Sequence, residues 1–262
     1  MSTVSKDAYV RTELHNGVAT IEFFHPQSNA LPARILEELA QAFHSAGHDH
    51  ETKVVLLRSA GEKAFCAGAS FDELSAIRNE EEGLAFFSGF ANVINAMRTC
   101  PKLIVARVQG KCVGGGVGLV AAADYAIACE EAEVKLSELS IGIGPFVVGP
   151  AVERKIGVSA FSQLAIDATM WRNGDWARRK GLFAELHPTI EGMDESIARL
   201  TFTLAHSSPE AMREIKRISW KDTDHWDKLL FERAEISGRL ILSEFSKKAI
   251  GDLRKKQAGK SA

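Results

Sequence analysis

Apolar and polar residues alternate from Val18 to Phe24, with Ala19, Ile21 and Phe23 on one side and Val18, Thr20 and Glu22 on the other. That period of two marks a half-buried strand. A shorter run, Val10–Leu14, precedes it across Asn16-Gly17, a dipeptide suited to the positive φ angles of a tight hairpin turn. The period then lengthens. Ile35, Leu36, Leu39 and Phe43 follow Pro32 at helical spacing and predict a helix to about His44. Phe86, Phe90, Val93, Ile94 and Met97 predict an amphipathic helix over Ala85–Met97. Val54–Arg58, Leu103–Val108 and Tyr125–Cys129 read as short buried strands. Strands separated by helices predict an α/β fold with parallel pairing. After Pro150 helices dominate: Ser159–Ala168, Trp176–Lys180, Met193–His206, Pro209–Ser219, His225–Leu242 and Phe245–Lys256. The expected organisation is an α/β core over residues 1–190 and a helical region over 191–262, whose apolar faces need a partner to cover them.

Composition narrows the function classes. With 262 residues, 45% apolar and 25% charged, the chain can bury a large core without disulfides or a structural metal. The four cysteines form no C-x-x-C pair, so neither a zinc knuckle nor a redox motif is indicated. A net charge of −2 removes the general electrostatic argument for nucleic acid. The most apolar stretch, Cys112–Cys129, holds Asp124 and four glycines and makes a poor membrane span. The N-terminus shows no basic, then apolar, then small-residue signal. The expectation is a cytoplasmic protein that binds neither membrane nor nucleic acid.

Two glycine-containing turns follow predicted strands. Ala67-Gly68-Ala69 lies after Val54–Arg58, and the acids from Asp72 onward suit a helix start. Val113-Gly114-Gly115-Gly116-Val117-Gly118 lies after Leu103–Val108 and before an Ala-rich segment. Each reads either as an ordinary tight turn or as one that aims free N–H groups at an anion or a polarised carbonyl oxygen. Gly116, Gly118 and Ala121, with Glu138 downstream, also match a dinucleotide pattern, but Tyr125–Cys129 intervenes before the acid. Glu138 sits among apolar residues before a Gly/Pro turn, where burial would raise its pKa and fit it for proton transfer near neutrality. The bland alternative is an exposed loop acid. His44, His48, Asp49 and His50 gather at a helix end without an H-E-x-x-H pattern. Cys66 has no evident base, and no G-x-S-x-G elbow occurs. Lys247, Lys248, Arg254, Lys255, Lys256 and Lys260 make a basic C-terminus.

Taken together, these features resemble the crotonase, or enoyl-CoA hydratase/isomerase, superfamily over almost the whole chain. The resemblance rests on His25-Pro26 with Asn29-Ala30-Leu31, on Phe65-Cys66-Ala67-Gly68-Ala69, and on the glycine cluster. It continues through Asp124-Tyr125-Ala126-Ile127-Ala128, Glu138 to Pro145, and Gly181-Leu182-Phe183. It implies a crotonase-like fold, a spiral of ββα turns with a C-terminal helical trimerisation region, assembled as a homotrimer or hexamer. It implies an acyl-CoA substrate, no cofactor beyond that CoA, and no metal. An oxyanion hole from the N–H groups of Ala69 and Gly115 would stabilise an enolate. Ser28, Ala30, Ala67, Ala69, Ser70, Phe71 and Gly115 would bind the substrate, and Glu138 would be the catalytic acid/base.

Two departures shape the expected reaction. Hydratases of the family carry two glutamates, one matching Glu138 and one at the position of Gly118. They also have glycine where this chain has Phe146, beside the expected water site. A single glutamate suits double-bond isomerisation, and Gly118→Glu would be expected to place an acid opposite Glu138. The alternatives are an enoyl-CoA hydratase, including a branched-chain methylglutaconyl-CoA type, and a non-catalytic acyl-CoA- or RNA-binding homologue.

Overall fold

The computed structural model describes residues 7–61 and 63–258; Lys260 and the side chain of Lys256 lie outside what is described. Along the chain come β1 (Tyr9–His15), β2 (Val18–Phe24), α1 (Ala33–His48), β3 (Val54–Ser59), β4 (Ala64–Cys66), α2 (Phe71–Ala76) and α3 (Glu80–Thr99). There follow β5 (Leu103–Val108), β6 (Lys111–Val113), α4 (Gly115–Ala122), β7 (Tyr125–Cys129), β8 (Glu133–Lys135) and a 3₁₀ turn (Glu138–Ile141). The remainder is α5 (Gly149–Ile166), β9 (Arg172–Asn173), α6 (Gly174–Arg179), β10 (Glu185–His187), α7 (Ile190–Ala205), α8 (Pro209–Ser219), α9 (Trp226–Leu240) and α10 (Glu244–Ala258).

A six-stranded sheet runs β1-β2-β3-β5-β7-β10 and a four-stranded one β4-β6-β8-β9. In the larger sheet only β1 and β2 pair antiparallel, through a turn whose Asn16 and Gly17 both have positive φ. The other pairings in that sheet are parallel, as the alternation of strands and helices requires. Strand alternation gives the sheet two buried faces. Val54, Val105, Ile127 and Cys129 pack with Met193 and Ile197 of α7, while Val55, Ile104, Ala106 and Ala126 join the main core.

Three features differ from the sequence reading. The four strands of the smaller sheet and β10 of the larger one, two or three residues each, are not expected as strands, because so short a run shows no alternation. Helix α3 begins at Glu80, ahead of its apolar stripe, because the Asn79 side chain accepts the Glu82 N–H at 2.8 Å. Helix α5 begins at Gly149, before the expected Ser159, and kinks at Gly157 (φ 77°). Pro150 stands in its first turn, where a missing N–H costs nothing, so this proline opens a helix.

The helical region does not stand apart from the core. Asp124 at the head of β7 accepts from the Ile104 N–H (2.8 Å), Lys216 Nζ (2.7 Å) and Trp220 Nε1 (2.8 Å), tying α8 to the larger sheet. Leu230 and Ala234 of α9 are fully buried in the chain's own core. The expected need for a partner is therefore met in part within the chain. Phe202, Ile215, Ile218 and Phe245 stay exposed.

Helix α9 crosses the central helix α3 at Gly83 and Gly238, where a Cβ on Gly83 would lie 2.7 Å from Gly238 Cα. Only hydrogen fits on either side of that contact. Gly238→Val should therefore destabilise the fold by about 1–3 kcal/mol through overpacking. A lowered urea midpoint checks this, and an unchanged midpoint would show that the crossing can open freely.

Candidate active site

The first turn is held from both ends. Asn29 is buried: its Nδ2 donates to Ala60 O and Ala64 O, each at 2.9 Å, and its Oδ1 accepts the His25 N–H at 3.1 Å. This clamp seats Leu31 against the 67–70 segment, where Leu31 N–H donates to Gly68 O (2.8 Å) and Ser70 N–H donates to Leu31 O (3.1 Å). Those bonds use the groups on either side of Ala69. In an extended segment the Ala69 N–H then faces the other way, and among the described residues it donates to no protein acceptor.

The second turn abuts the first. Gly68 has φ of 87°, and a Cβ there would lie 2.9 Å from Val113 O and 3.8 Å from Gly115 N. Gly114, with φ of 51°, donates its N–H to Lys135 O at 2.9 Å. Gly115 opens α4, so its N–H is one of the helix's unpaired donors at the positive end of the dipole. Ala69 and Gly115 both line one cavity of about 270 Å³. Two free N–H groups converging there can bind one developing oxyanion.

Glu138 enters the same cavity at the start of the 3₁₀ turn. Its carboxylate lies over the glycine turn: a Cβ on Gly114 would be 2.9 Å from Glu138 Oε1. Glu138 Oε2 is buried without a hydrogen-bond partner among the described residues. Burial pushes the carboxyl up to about 7, partly opposed by a hydrogen bond from its own backbone. The exposed-loop alternative is thereby removed, and the group is poised to take or give a proton near neutrality.

The other expected site residues divide. Ala67 and Phe71 line the cavity. Ser28, Ala30 and Ser70 do not; they build the turn behind it. Ser28 O accepts the Ala67 N–H at 3.1 Å, Ala30 is buried, and Ser70 Oγ accepts the Glu73 N–H at the start of α2. Phe87 and Phe90 of α3, Ser237 of α9 and Leu253 of α10 complete the wall. Helical spacing marked Phe90 only as core, and no local signal singled out the rest.

The immediate surroundings of Gly118 are apolar, made by Val148 and Ile94. A Cβ there would lie 2.5 Å from Val148 Cγ1, so Val148 would have to give way to any side chain at this position. The φ of Gly118 is not positive, and the obstacle to Gly118→Glu is this valine. Phe146 lines the cavity with its ring packed on Gly144. The dinucleotide pattern gains nothing here, because Glu138 stands beside the helix end where a pyrophosphate would sit. Among the described residues no His/Cys/Asp/Glu group is arranged to hold a metal. Burial pushes the Cys66 thiol up to about 12. No helix among the described residues is long and apolar enough to cross a membrane.

Two free backbone donors and one buried carboxylate thus share a single cavity, and sequence comparison supplies the family in which that cavity belongs. The chain belongs to the enoyl-CoA hydratase/isomerase family, whose sequence profile matches residues 13–250. It is 31% identical to a probable enoyl-CoA hydratase of Bacillus subtilis over 132 residues, 50% of this chain and 51% of that protein. The alignment thus spans about half the length of that relative. It is 32% identical over 205 residues to the (7aS)-7a-methyl-1,5-dioxo-2,3,5,6,7,7a-hexahydro-1H-indene-carboxyl-CoA hydrolase of Mycobacterium tuberculosis, covering 76% of this chain and 79% of that one. The fold matches the crystal structure of an enoyl-CoA hydratase from Bacillus halodurans with a TM-score of 0.85 at 21% identity, over 93% of this chain and 99% of that one.

The buried carboxyl has a consequence for stability. The folded chain holds the Glu138 proton more tightly than the unfolded chain does. Its contribution therefore favours folding below 4.5 and is lost as pH rises through about 7. Glu138→Gln should flatten this component and leave the variant more stable than the parent at pH 8 by about 1–3 kcal/mol. Urea unfolding of both across pH 4 to 8 checks it, and parallel curves would contradict a buried, unpartnered carboxylate.

Proposed function

We propose that the protein moves a carbon–carbon double bond in an acyl-CoA thioester, with Glu138 as the sole proton shuttle and the Ala69 and Gly115 N–H groups as the oxyanion hole. The thioester oxygen accepts from both N–H groups. The Glu138 carboxylate takes a proton from the α-carbon of a 3-enoyl thioester, and the electron pair left behind delocalises onto that oxygen as an enolate. The same proton is returned at the γ-carbon, and the double bond comes to rest between the α- and β-carbons. The carboxyl near 7 exists in both protonation states at neutral pH, as a group that accepts and returns one proton requires. Coenzyme A belongs to the substrate, and the step draws on no other cofactor.

The observation that carries this reading is the apolar surroundings of Gly118, made by Val148 and Ile94. Hydration needs a water held and polarised, and the side chains at that point are apolar. A hydratase reading, including the branched methylglutaconyl type, draws support from the Ser137 and Ser140 side chains in the cavity, which could orient a water. A non-catalytic acyl-CoA- or RNA-binding role leaves the burial of Glu138 Oε2 as an uncompensated cost.

The test is product identification by mass after incubation with 3-enoyl-, 2-enoyl- and 3-hydroxyacyl-CoA. Interconversion of the enoyl isomers without gain of water supports isomerisation, and brisk hydration of the 2-enoyl thioester defeats it. Glu138→Gln should lower turnover by about 10²–10⁴-fold with little change in CoA affinity. Near-normal turnover would remove Glu138 from the mechanism.

The exposed surface supports assembly of several copies. Phe202, Ile215 and Ile218 are exposed on α7 and α8, and their burial between copies fits a homotrimer or a hexamer of paired trimers. Sedimentation at micromolar concentration should show one of these, and a stable monomer would contradict the proposal.

A further inference from the structure

Lys155 of α5 is a largely buried cation that the proton transfer described above does not use. Its Nζ donates to Ala123 O at 2.8 Å and to Asp124 O at 3.0 Å, the two carbonyls that carry the chain out of α4 and into β7. The Asp124 carboxylate is taken up by the Ile104 N–H, Lys216 and Trp220. Among the described residues no carboxylate comes within ion-pair distance of Lys155. The ammonium group therefore rests against backbone carbonyls alone.

The opposite end of α4 carries Gly115, whose N–H is one of the two oxyanion donors. This helix has little of its own to hold it. Three of its eight residues are glycine, the preceding Gly114 has no side chain to cap it, and its last turn has no basic residue. Helix α5 thus supplies from outside the cation that a helix C-terminus favours. Eight residues span about 12 Å. All eight are buried and apolar, so the charge acts toward the cavity through a medium that screens it weakly.

We infer that Lys155 is a positioning residue for the oxyanion hole: acting through α4, it fixes the Gly115 N–H and offsets the negative end of that helix. The positive end then faces the developing enolate oxygen undiminished. This rests on the acyl-CoA reading of the cavity, which Lys155 itself does not line. Burial pushes the Lys155 ammonium down to about 8; Asp124 opposes this, and the Arg154 and Lys216 charges add to it. The charge behind α4 is therefore lost in mild alkali, above the range in which Glu138 titrates.

The test reads the thioester carbonyl directly and turnover against pH. In infrared difference spectra of butyryl-CoA bound to the full-length parent, the carbonyl stretch should lie below its value in water near pH 7. It should move part of the way back as pH passes through about 8. Lys155→Met should show the smaller displacement throughout. Its turnover of whichever enoyl-CoA the parent converts should be about 3–10-fold lower near pH 7, with KM little changed and no alkaline loss. Lys155→Arg should keep the large displacement and the parent's turnover, and hold both past pH 8. An alkaline loss that persists in Lys155→Arg would overturn the inference, and this comparison decides even if Lys155→Met does not fold. So would a carbonyl stretch in Lys155→Met equal to the parent's. No displacement of the carbonyl in the parent would overturn the oxyanion reading of the Ala69 and Gly115 N–H groups, and this inference with it.

Discussion

The contact between the backbone of Gly68 and the carbonyl of Val113 is the constraint on which the rest of the site depends. Parallel pairing of β4 with β6 delivers two strand-to-helix turns side by side, and with no side chain at Gly68 they can touch. The Leu31 bridge then consumes the backbone groups flanking Ala69, and the start of α4 leaves Gly115 without an acceptor. Neither donor depends on a side-chain rotamer. Their direction is fixed by sheet register, which makes them preorganised in the sense that matters for charge developing during a reaction.

The carboxylate beside them is held at a cost that the fold tolerates. Glu138 Oε2 has no partner among the described residues, and burial alone accounts for the upward displacement of its pKa. A partner would stabilise the ionised form and make the group a weaker base. Val148 supplies none, and it also closes the space above Gly118.

Much of the larger sheet was legible in the sequence, because its strands are apolar runs bounded by turns and its helices carry a single apolar stripe. The smaller sheet was not, although it positions both turns, since two- and three-residue strands such as Arg172–Asn173 are defined by pairing alone. Glu138 and the two glycine turns could be picked out because a glycine cluster and an isolated acid leave local traces, whereas the choice of Ala69 and Gly115 within those turns rests on the family resemblance. The Asn29 clamp, Val148, Ser237 and Lys155 could not. Each owes its place to a contact between segments distant in the chain, and spacing along one segment carries no trace of it. The neighbour of Gly118 is hidden for the same reason, since Val148 lies thirty positions away, immediately before α5.

The glycine crossing of α3 and α9 places Ser237 in the cavity wall immediately beside Gly238. On the other helix, Phe87 and Phe90 follow Gly83 along the same wall. Helix separation and cavity width are therefore a single dimension of this molecule. A change that spreads the helices enlarges the chamber and loosens the core in the same motion. Evolution or engineering that seeks a bulkier acyl group by this route would have to give up rigidity to obtain it, whereas substitutions at Phe146 or Leu253, away from the crossing, would resize the chamber while leaving the two helices in contact.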